Sequence, residues 1–443
     1  MRGSAGAGCP MQPAPVRPEM SALLDSLLRE RVASAPQTAV RNDAAAALLR
    51  DGLPGARDEG WKYTSLRALE QRRHVDGDCG GLGRAIDASI LALPDVDGPR
   101  VVFVNGLYRR DLSRPMDVAG LTILRLGEHP DELNALLQAD TDPTAFARMN
   151  VALALDGVLL RVEADARIEP AVHLVFIGAP AEREIAWNLR ARTEVGARAS
   201  LRVIEHHVGA GASSQLGNLV FEHALGDAAR LELVQIQDAA DGASLIRRST
   251  AHLGAESLLR QHAIEIGAQL MRHDLVVDLA GRGARFESRG VFALRARQHA
   301  DTHLAVTHVA RETTSDIRWR GVADQRARGV FHGAITVAAG ADGADAQLSN
   351  KNLLLSAQAE IDTQPVLEIH ADEVKAAHGA TVGQLDDRAL FYLRSRGLPL
   401  DLARRVLVSA FCSAVLAELG PPSLRARVDA LLAARLPRAE EAA

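Results

Sequence analysis

Apolar residues along this chain change their spacing twice. From Ser21 the spacing is helical. Leu23, Leu24, Leu27 and Leu28 share one face, and Ser21 is placed to cap the first turn. A second helical patch runs from Ala44 to Leu49 and is broken by Pro54-Gly55. Near Arg100 the texture becomes that of strands. Val101 to Val104 ends in the turn Asn105-Gly106, and Gly157–Val162 and Ala171–Ile177 flank Pro170. The interval Asp131 to Leu155 reads as helical. Helical spacing returns after Gly383, with Ala389, Leu390 and Leu393 on one face. Asp386 and Asp387 suit the start of that helix, and Arg394, Arg396 and Gly397 suit its end. Asp401 to Leu419 and Ser423 to Leu436 form two further helices, separated by Pro421-Pro422.

Between these flanks the chain repeats. Small-residue turns fall near positions 196, 226, 254, 283 and 340, and Arg311-Glu312-Thr313-Thr314 fills the slot near 312. The steps are about 29 residues, and strands stand on either side of each turn, such as Ile246–Leu253, Met271–Leu279 and Ala284–Val291. Strand pairs at a constant period, without intervening helices, predict a β-solenoid in which each coil buries one face on its neighbours. The turn glycines then either adopt positive φ or permit close approach of backbones. An antiparallel sandwich also has frequent turns, but it needs no constant period.

Composition narrows the function. Of 443 residues 47% are hydrophobic but only 3% are aromatic, so the core is built from small aliphatic side chains. Net charge is −5 and no dense Lys/Arg cluster is interleaved with aromatics, which argues against a nucleic-acid binder. No apolar run reaches the roughly 18 residues of a membrane-spanning helix. Residues 1–20 hold four prolines and no apolar segment, and they read as a disordered tail, not a signal peptide. Cys9, Cys79 and Cys412 are too few and too far apart for a disulfide framework, which fits a reducing cytoplasm. No CxxC pair, phosphate-binding G-x-x-x-x-G-K-[ST] loop, G-x-S-x-G or H-E-x-x-H motif occurs. Gly281-Arg282-Gly283 lacks the third glycine and the helix of a dinucleotide site.

Histidines supply the remaining candidates. His299, Asp301 and His303 alternate and share one strand face, as a row of metal ligands or as a solvated ladder. Glu205-His206-His207 and Glu222-His223 are weaker, because strand neighbours point to opposite faces. His370 and His378 lie eight residues apart around a bend. His378-Gly379-Ala380-Thr381 sits where strand hands over to helix, as a functional point or as a turn with an incidental histidine. Trp61 and Tyr63, in Trp61-Lys62-Tyr63-Thr64-Ser65-Leu66, read as a local anchor that packs a loop on the core.

The stretch VKAAHGATVGQLDDRALFYLRSRG resembles the C-terminal signature of the SufB/SufD family of the SUF iron–sulfur cluster assembly machinery, on its SufD side. The likeness extends through LLLSAQAEIDTQPVLEIHADEV, AQLSNKNLLLS, RGVFHGAITV and HADTHLAVTHVARETTSD, and to WKYTSL and DGVLLRV. It covers residues from about 59 to 419. His-Gly-Ala-Thr stands where SufB members carry His-Glu-Ala-Thr, and Leu393 stands where they carry cysteine.

The resemblance implies a right-handed parallel β-helix with helical regions at both ends. It divides the chain into an N-terminal helical region (21–96), a β-helix core (97–383) and a C-terminal helical ATPase-docking domain (384–443). It implies a non-catalytic scaffold that pairs with a SufB-type subunit and docks a SufC-type ATPase through Phe391, Tyr392, Leu393, Arg394, Arg396 and Gly397. For the isolated chain, a second copy of itself is a further candidate partner, and the sequence does not decide whether it self-associates. His378 is the implied ligand of a transient iron–sulfur cluster or iron at the SufB–SufD interface, and the isolated chain would hold no stable cofactor. Members often carry cysteine two residues before that histidine, where this chain has Ala376. A carbohydrate-active β-helix enzyme and a purely structural adaptor are the alternative readings. The enzyme would need clustered carboxylates and a sugar-stacking aromatic groove.

Overall fold

Strands of about ten residues alternate between two parallel sheets in the computed structural model, which describes residues 21–34, 36–76, 86–91, 93 and 96–435. The expected tail, with Cys9, and the segment carrying Cys79 lie outside the described residues. The first sheet stacks Asp156–Val162, Ile185–Val195, Leu216–Leu225, Ser244–Leu253, Leu270–Leu279, His299–His308, Arg328–Val337 and Glu360–Ile369. The second stacks Val172–Gly178, Ser200–Gly209, Arg230–Asp238, Leu258–Glu265, Arg285–Leu294, Thr314–Ala323, Asp345–Leu354 and Lys375–Gly383. Each strand pairs in parallel with the strand one coil away, at offsets from 26 residues (Ser244 to Leu270) to 33 (Asp156 to Leu189). The product is a parallel β-solenoid of about eight turns. The stacking of every coil in parallel rules out the sandwich.

Alternation decides what faces the lumen. Leu245, Ala251 and Leu253 on one sheet meet Leu231, Leu259 and Phe286 on the other, all buried in one continuous cluster. The tight turn of each coil uses its residues differently from the sequence expectation. At Gly281 a Cβ would overlap the Ala255 amide nitrogen of the preceding coil, so this glycine serves close approach. Positive φ falls two residues later, on Gly283 and on the non-glycine residues Arg198, Ala228, Glu256 and Glu312 in the equivalent turns. Each of these amides donates to a carbonyl of the next coil, such as Glu256 N to Arg282 O at 2.9 Å and Gly283 N to Arg311 O at 3.1 Å. That column of hydrogen bonds offsets the roughly 1–2 kcal/mol cost of a left-handed residue with a side chain.

The two ends of the solenoid differ. At the first end, Leu121–Arg125 pairs antiparallel with Asp156–Val162. Arg100–Val104 extends the second sheet beside Val172–Gly178, where Phe103 stacks on Phe176 at 5.8 Å. At the last end, no strand among the described residues lies beyond Glu360–Ile369 and Lys375–Gly383. The C-terminal helices Leu400–Ser413 and Pro422–Arg435 do not lie on this open edge. They lie along the outer face of the second sheet. There Val408, Cys412, Leu424, Val428 and Leu432 cover Ile204, Val234, Ile236, Ile264 and Val291. The outer side chains of that sheet are apolar, and burying each is worth about 1.5–3 kcal/mol, so the helices follow the apolar area and not the free edge. Burial pushes the Cys412 thiol up to about 12, which keeps it an unreactive core residue.

The N-terminal helices cover the opposite side. Ala22–Ser34, capped by the Ser21 hydroxyl accepting from the Leu24 amide at 3.2 Å, and Ala39–Asp51 pack through Leu23, Leu24, Leu27 and Leu48. Their partners include Ala186, Leu216 and Ile246 on the outer face of the first sheet. The single helical interval expected over Asp131 to Leu155 is two helices, Pro130–Ala139 and Ala145–Leu153, because Pro143 interrupts it. Among the described residues no helix is long and apolar enough to cross a membrane.

The turn geometry predicts unequal costs for two neighbouring substitutions. Gly281→Ala should lower stability by about 3 kcal/mol, because backbone of the adjacent coil must move. Gly283→Ala should cost only about 1 kcal/mol, because its added Cβ meets the movable end of Glu256. Chemical denaturation of both variants measures the difference. Equal losses would show that the two glycines share one role.

Candidate functional site

The last coil presents its inner surface to solvent. Lys375–Gly383 pairs in register with Asp345–Leu354, so that Ala376, His378, Ala380 and Val382 oppose Ala346, Leu348, Asn350 and Asn352. Those four partners are lumen residues, and Ala346 and Leu348 belong to the main core cluster. His378 therefore occupies the lumen-side column of the final strand, and it is exposed because no further coil among the described residues covers it. It lies in the middle of a strand and not at the strand-to-helix handover read from the sequence. The handover comes at residues 384–386. Ala376 shares the face of His378 and packs against the core cluster. Across the lumen mouth, Thr363 donates to Asn350 Oδ1 at 2.8 Å, and within the second sheet Asn352 donates to the Thr381 carbonyl at 3.1 Å. Val382 and Ile369 at this end are each 43% exposed.

Among the described residues no group of three His, Cys, Asp or Glu side chains is arranged to hold a metal ion. His370 follows the end of Glu360–Ile369, and no third ligand joins it and His378. A single imidazole is one ligand of the four that iron in a cluster ordinarily takes.

The alternating His299, Asp301 and His303 do share a face, but as a seat for the N-terminal segment. Asp301 accepts from Arg272 at 2.5 Å and from the Thr64 hydroxyl, and it pairs with His303 at 2.9 Å. Thr64 Oγ1 also lies 2.7 Å from His299 Nε2. Arg272 stacks over Trp61 at 4.6 Å, and Trp61 packs on Phe146 at 5.5 Å. The expected anchor role of Trp61 holds, and the metal row does not, because its central carboxylate is already occupied. Burial alone would raise Asp301, but His303 and Arg272 hold it down to about 2.

A second polar group lies inside the solenoid, where alternation in the sequence does not show it. Arg247 donates to Glu205 at 2.7 Å and contacts His273 at 2.7 Å. His273 meets Glu265 at 3.2 Å, and Thr302 donates to the other Glu265 oxygen at 2.7 Å. These side chains come from five strands and are all buried. Burial would raise Glu205, yet Arg247 keeps it ionised at about 2, whereas burial pushes Glu265 up to about 8. Glu205 and His207 both face the lumen, and His206 stacks on His173 outside it at 5.8 Å. The only signal in the sequence is polar residues at positions whose parity is otherwise apolar.

The Phe391–Gly397 stretch lies on the surface. Asp386 accepts from the Arg388 amide at 2.9 Å and starts the helix Asp387–Ser395, and Gly397 at φ +90° stops it. Phe391 is 74% and Tyr392 56% exposed, Leu393 is half-buried, and Arg396 stacks over Tyr392 at 5.2 Å. Leu400, Leu402 and Val406 are exposed on the next helix, whose other side is the buried one.

Asp301 carries a pH-dependent prediction. A depressed carboxylate contributes stability above its unfolded value, near 4, and that contribution fades as pH falls toward its folded value of about 2. Asp301→Asn should therefore cost about 3 kcal/mol at neutral pH, by leaving part of the Arg272 charge unmatched. The gap between wild type and variant should close between pH 4 and pH 2 in denaturation experiments. A gap that persists at pH 2 would mean that the Asp301 charge is not its source.

Comparison with known proteins matches residues 180–411 to the SUF system FeS cluster assembly, SufBD core domain. An iron–sulfur cluster assembly SufBD family protein of Synechocystis is 30% identical over 401 residues, covering 86% of this chain and 87% of the relative. The iron–sulfur cluster assembly protein SufD of Escherichia coli is 29% identical over 394 residues, covering 88% and 91%. That of Bacillus subtilis is 25% identical over 302 residues, covering 66% and 68%. The resemblance read from the motifs thus extends across the solenoid and both flanks, and the chain belongs to the SufBD family of the SUF iron–sulfur cluster assembly system.

Proposed function

We propose that this chain is a non-catalytic scaffold subunit that works in the cytoplasm. It pairs with a SufB-type subunit through the open end of its solenoid, docks a SufC-type ATPase, and contributes His378 to a nascent cluster or to iron. Family membership supports the role in cluster assembly. The observation that carries the rest is the bare last coil. A strand with unpaired backbone groups, exposed Val382 and Ile369, and a lumen-side imidazole is a surface that another strand completes.

A neutral imidazole is a borderline ligand suited to iron. With Ala376 two residues earlier, the thiolates must come mainly from the partner. The ATPase surface follows from Phe391 and Tyr392. Two exposed aromatics on a short helix, with Leu402 and Val406 exposed on the next, are the kind of anchors that carry interface energy. Arg394 and Arg396 add a basic contribution. The structural adaptor is the second reading, favoured by the lack of any three-ligand group among the described residues.

Two substitutions separate these readings. His378→Ala should leave the melting of the chain and assembly with its partners nearly unchanged, within about 0.5 kcal/mol, because the side chain is exposed. It should lower iron and sulfide content of the complex reconstituted with SufB-type and SufC-type subunits, and Ala376→Cys in that background should recover part of the loss. Unchanged content in His378→Ala would leave the adaptor reading. Phe391→Ala with Tyr392→Ala should weaken ATPase binding at least about tenfold while the chain melts as before. Unaltered affinity, by calorimetry, would place the docking surface elsewhere. Removal of everything after Gly383 is a poorer test, because it would also strip the cover from Ile204, Val234 and Ile264.

A further inference from the structure

We propose that the cleft between the Trp61–Leu69 segment and the first sheet binds a phosphate-bearing small molecule. The cleft has a volume of about 350 Å³, within the range of small-ligand sites. Lys62, Arg72, Arg297 and Arg328 line it, and no carboxylate does. Arg328 is held by Asp362 at 2.9 Å and Glu360 at 3.2 Å. Lys62, Arg72 and Arg297 form no ion pair with any described carboxylate.

Elsewhere on the solenoid surface many arginines are matched by acids on the adjacent coil, as in Arg161 with Glu194, Arg202 with Glu232, Arg260 with Glu287 and Arg282 with Glu312. Converging cations without counter-charges repel one another, and a bound anion relieves that repulsion. Guanidinium forks fit phosphate oxygens in bidentate fashion, and an ammonium adds a point charge. The Tyr63 ring keeps two of the cations in place without neutralising them, with Lys62 Nζ at 5.1 Å and Arg328 at 5.8 Å from its centre. Ser65, Ser244 and Gln269 supply further polar groups. Trp61 and Tyr63 put aromatic surface beside the charges, so a nucleotide and a free polyphosphate share the chemistry the cleft recognises. An extended acidic peptide would need a longer groove. None of this draws on the scaffold reading.

The test uses the full chain at low ionic strength, titrated with inorganic pyrophosphate and, separately, with metal-free ATP. Calorimetry gives the affinity. Tryptophan fluorescence gives the location, because Trp187 and Trp319 are buried and Trp61 borders the cleft. Saturable binding that weakens with salt is expected, and Lys62→Gln, Arg72→Gln, Arg297→Gln together should reduce it at least about tenfold. Tighter binding of ATP than of pyrophosphate would identify a nucleotide site, and equal binding a phosphate site; both support the proposal. Should the triple variant melt lower, the exposed Arg297→Gln alone carries the comparison. No saturable binding, undiminished binding in the variants, or a polyglutamate peptide binding as tightly as pyrophosphate would overturn it.

Discussion

Every coil of this solenoid depends on the next for its backbone hydrogen bonds. Strands pair in parallel over eight to ten residues at each interior step, and even the left-handed turn residues donate to the following coil. This one constraint makes the middle of the molecule self-sufficient and leaves its ends incomplete. The first end is closed by the strands around Val101 and Leu121. The second end is not closed by any described residue, so its last strand keeps an open edge and lumen side chains meet solvent. His378 stands out because of where the stacking stops, since the equivalent residue one coil earlier, Leu348, is buried.

A stack with apolar residues on its outer faces needs a cover on each. The helices at both termini supply it, one set against the first sheet and one against the second. The C-terminal helices thus have two unlike sides. Val408 and Cys412 pack on the sheet, while Leu402 and Val406 remain exposed beside Phe391 and Tyr392. A helix rigidly seated through one side is a firm platform for a partner on the other.

Polar residues follow the same logic of stacking. Inside the lumen, Arg247 and Glu205 neutralise each other and His273 and Glu265 join them through hydrogen bonds, which is the condition for burying them at all. On the outer surface the coil spacing lines up arginines with carboxylates on adjacent coils, and the Asp301 group locks the Trp61 segment onto the sheet. In the cleft beside that segment, Lys62, Arg72 and Arg297 have no such match among the described residues.

Read alone, the chain determined its strands, its period near 29 residues, its helix caps at Ser21, Asp386 and Gly397, and its family. These are local or periodic properties, set by backbone propensity and by repetition. Which side of a strand is inside is not local. Alternation states that His299, Asp301 and His303 share a face, but only the packed N-terminal segment decides that the face is a seat and not a ligand row. Alternation likewise cannot bring Glu205 to Arg247, 42 residues away, because that contact exists only once coils stack and the two sheets close on each other. The placement of the C-terminal helices along the side, and with it the exposure of His378 at a bare end, was decided by tertiary structure. Apolar area on the second sheet outcompetes a free backbone edge that water can satisfy.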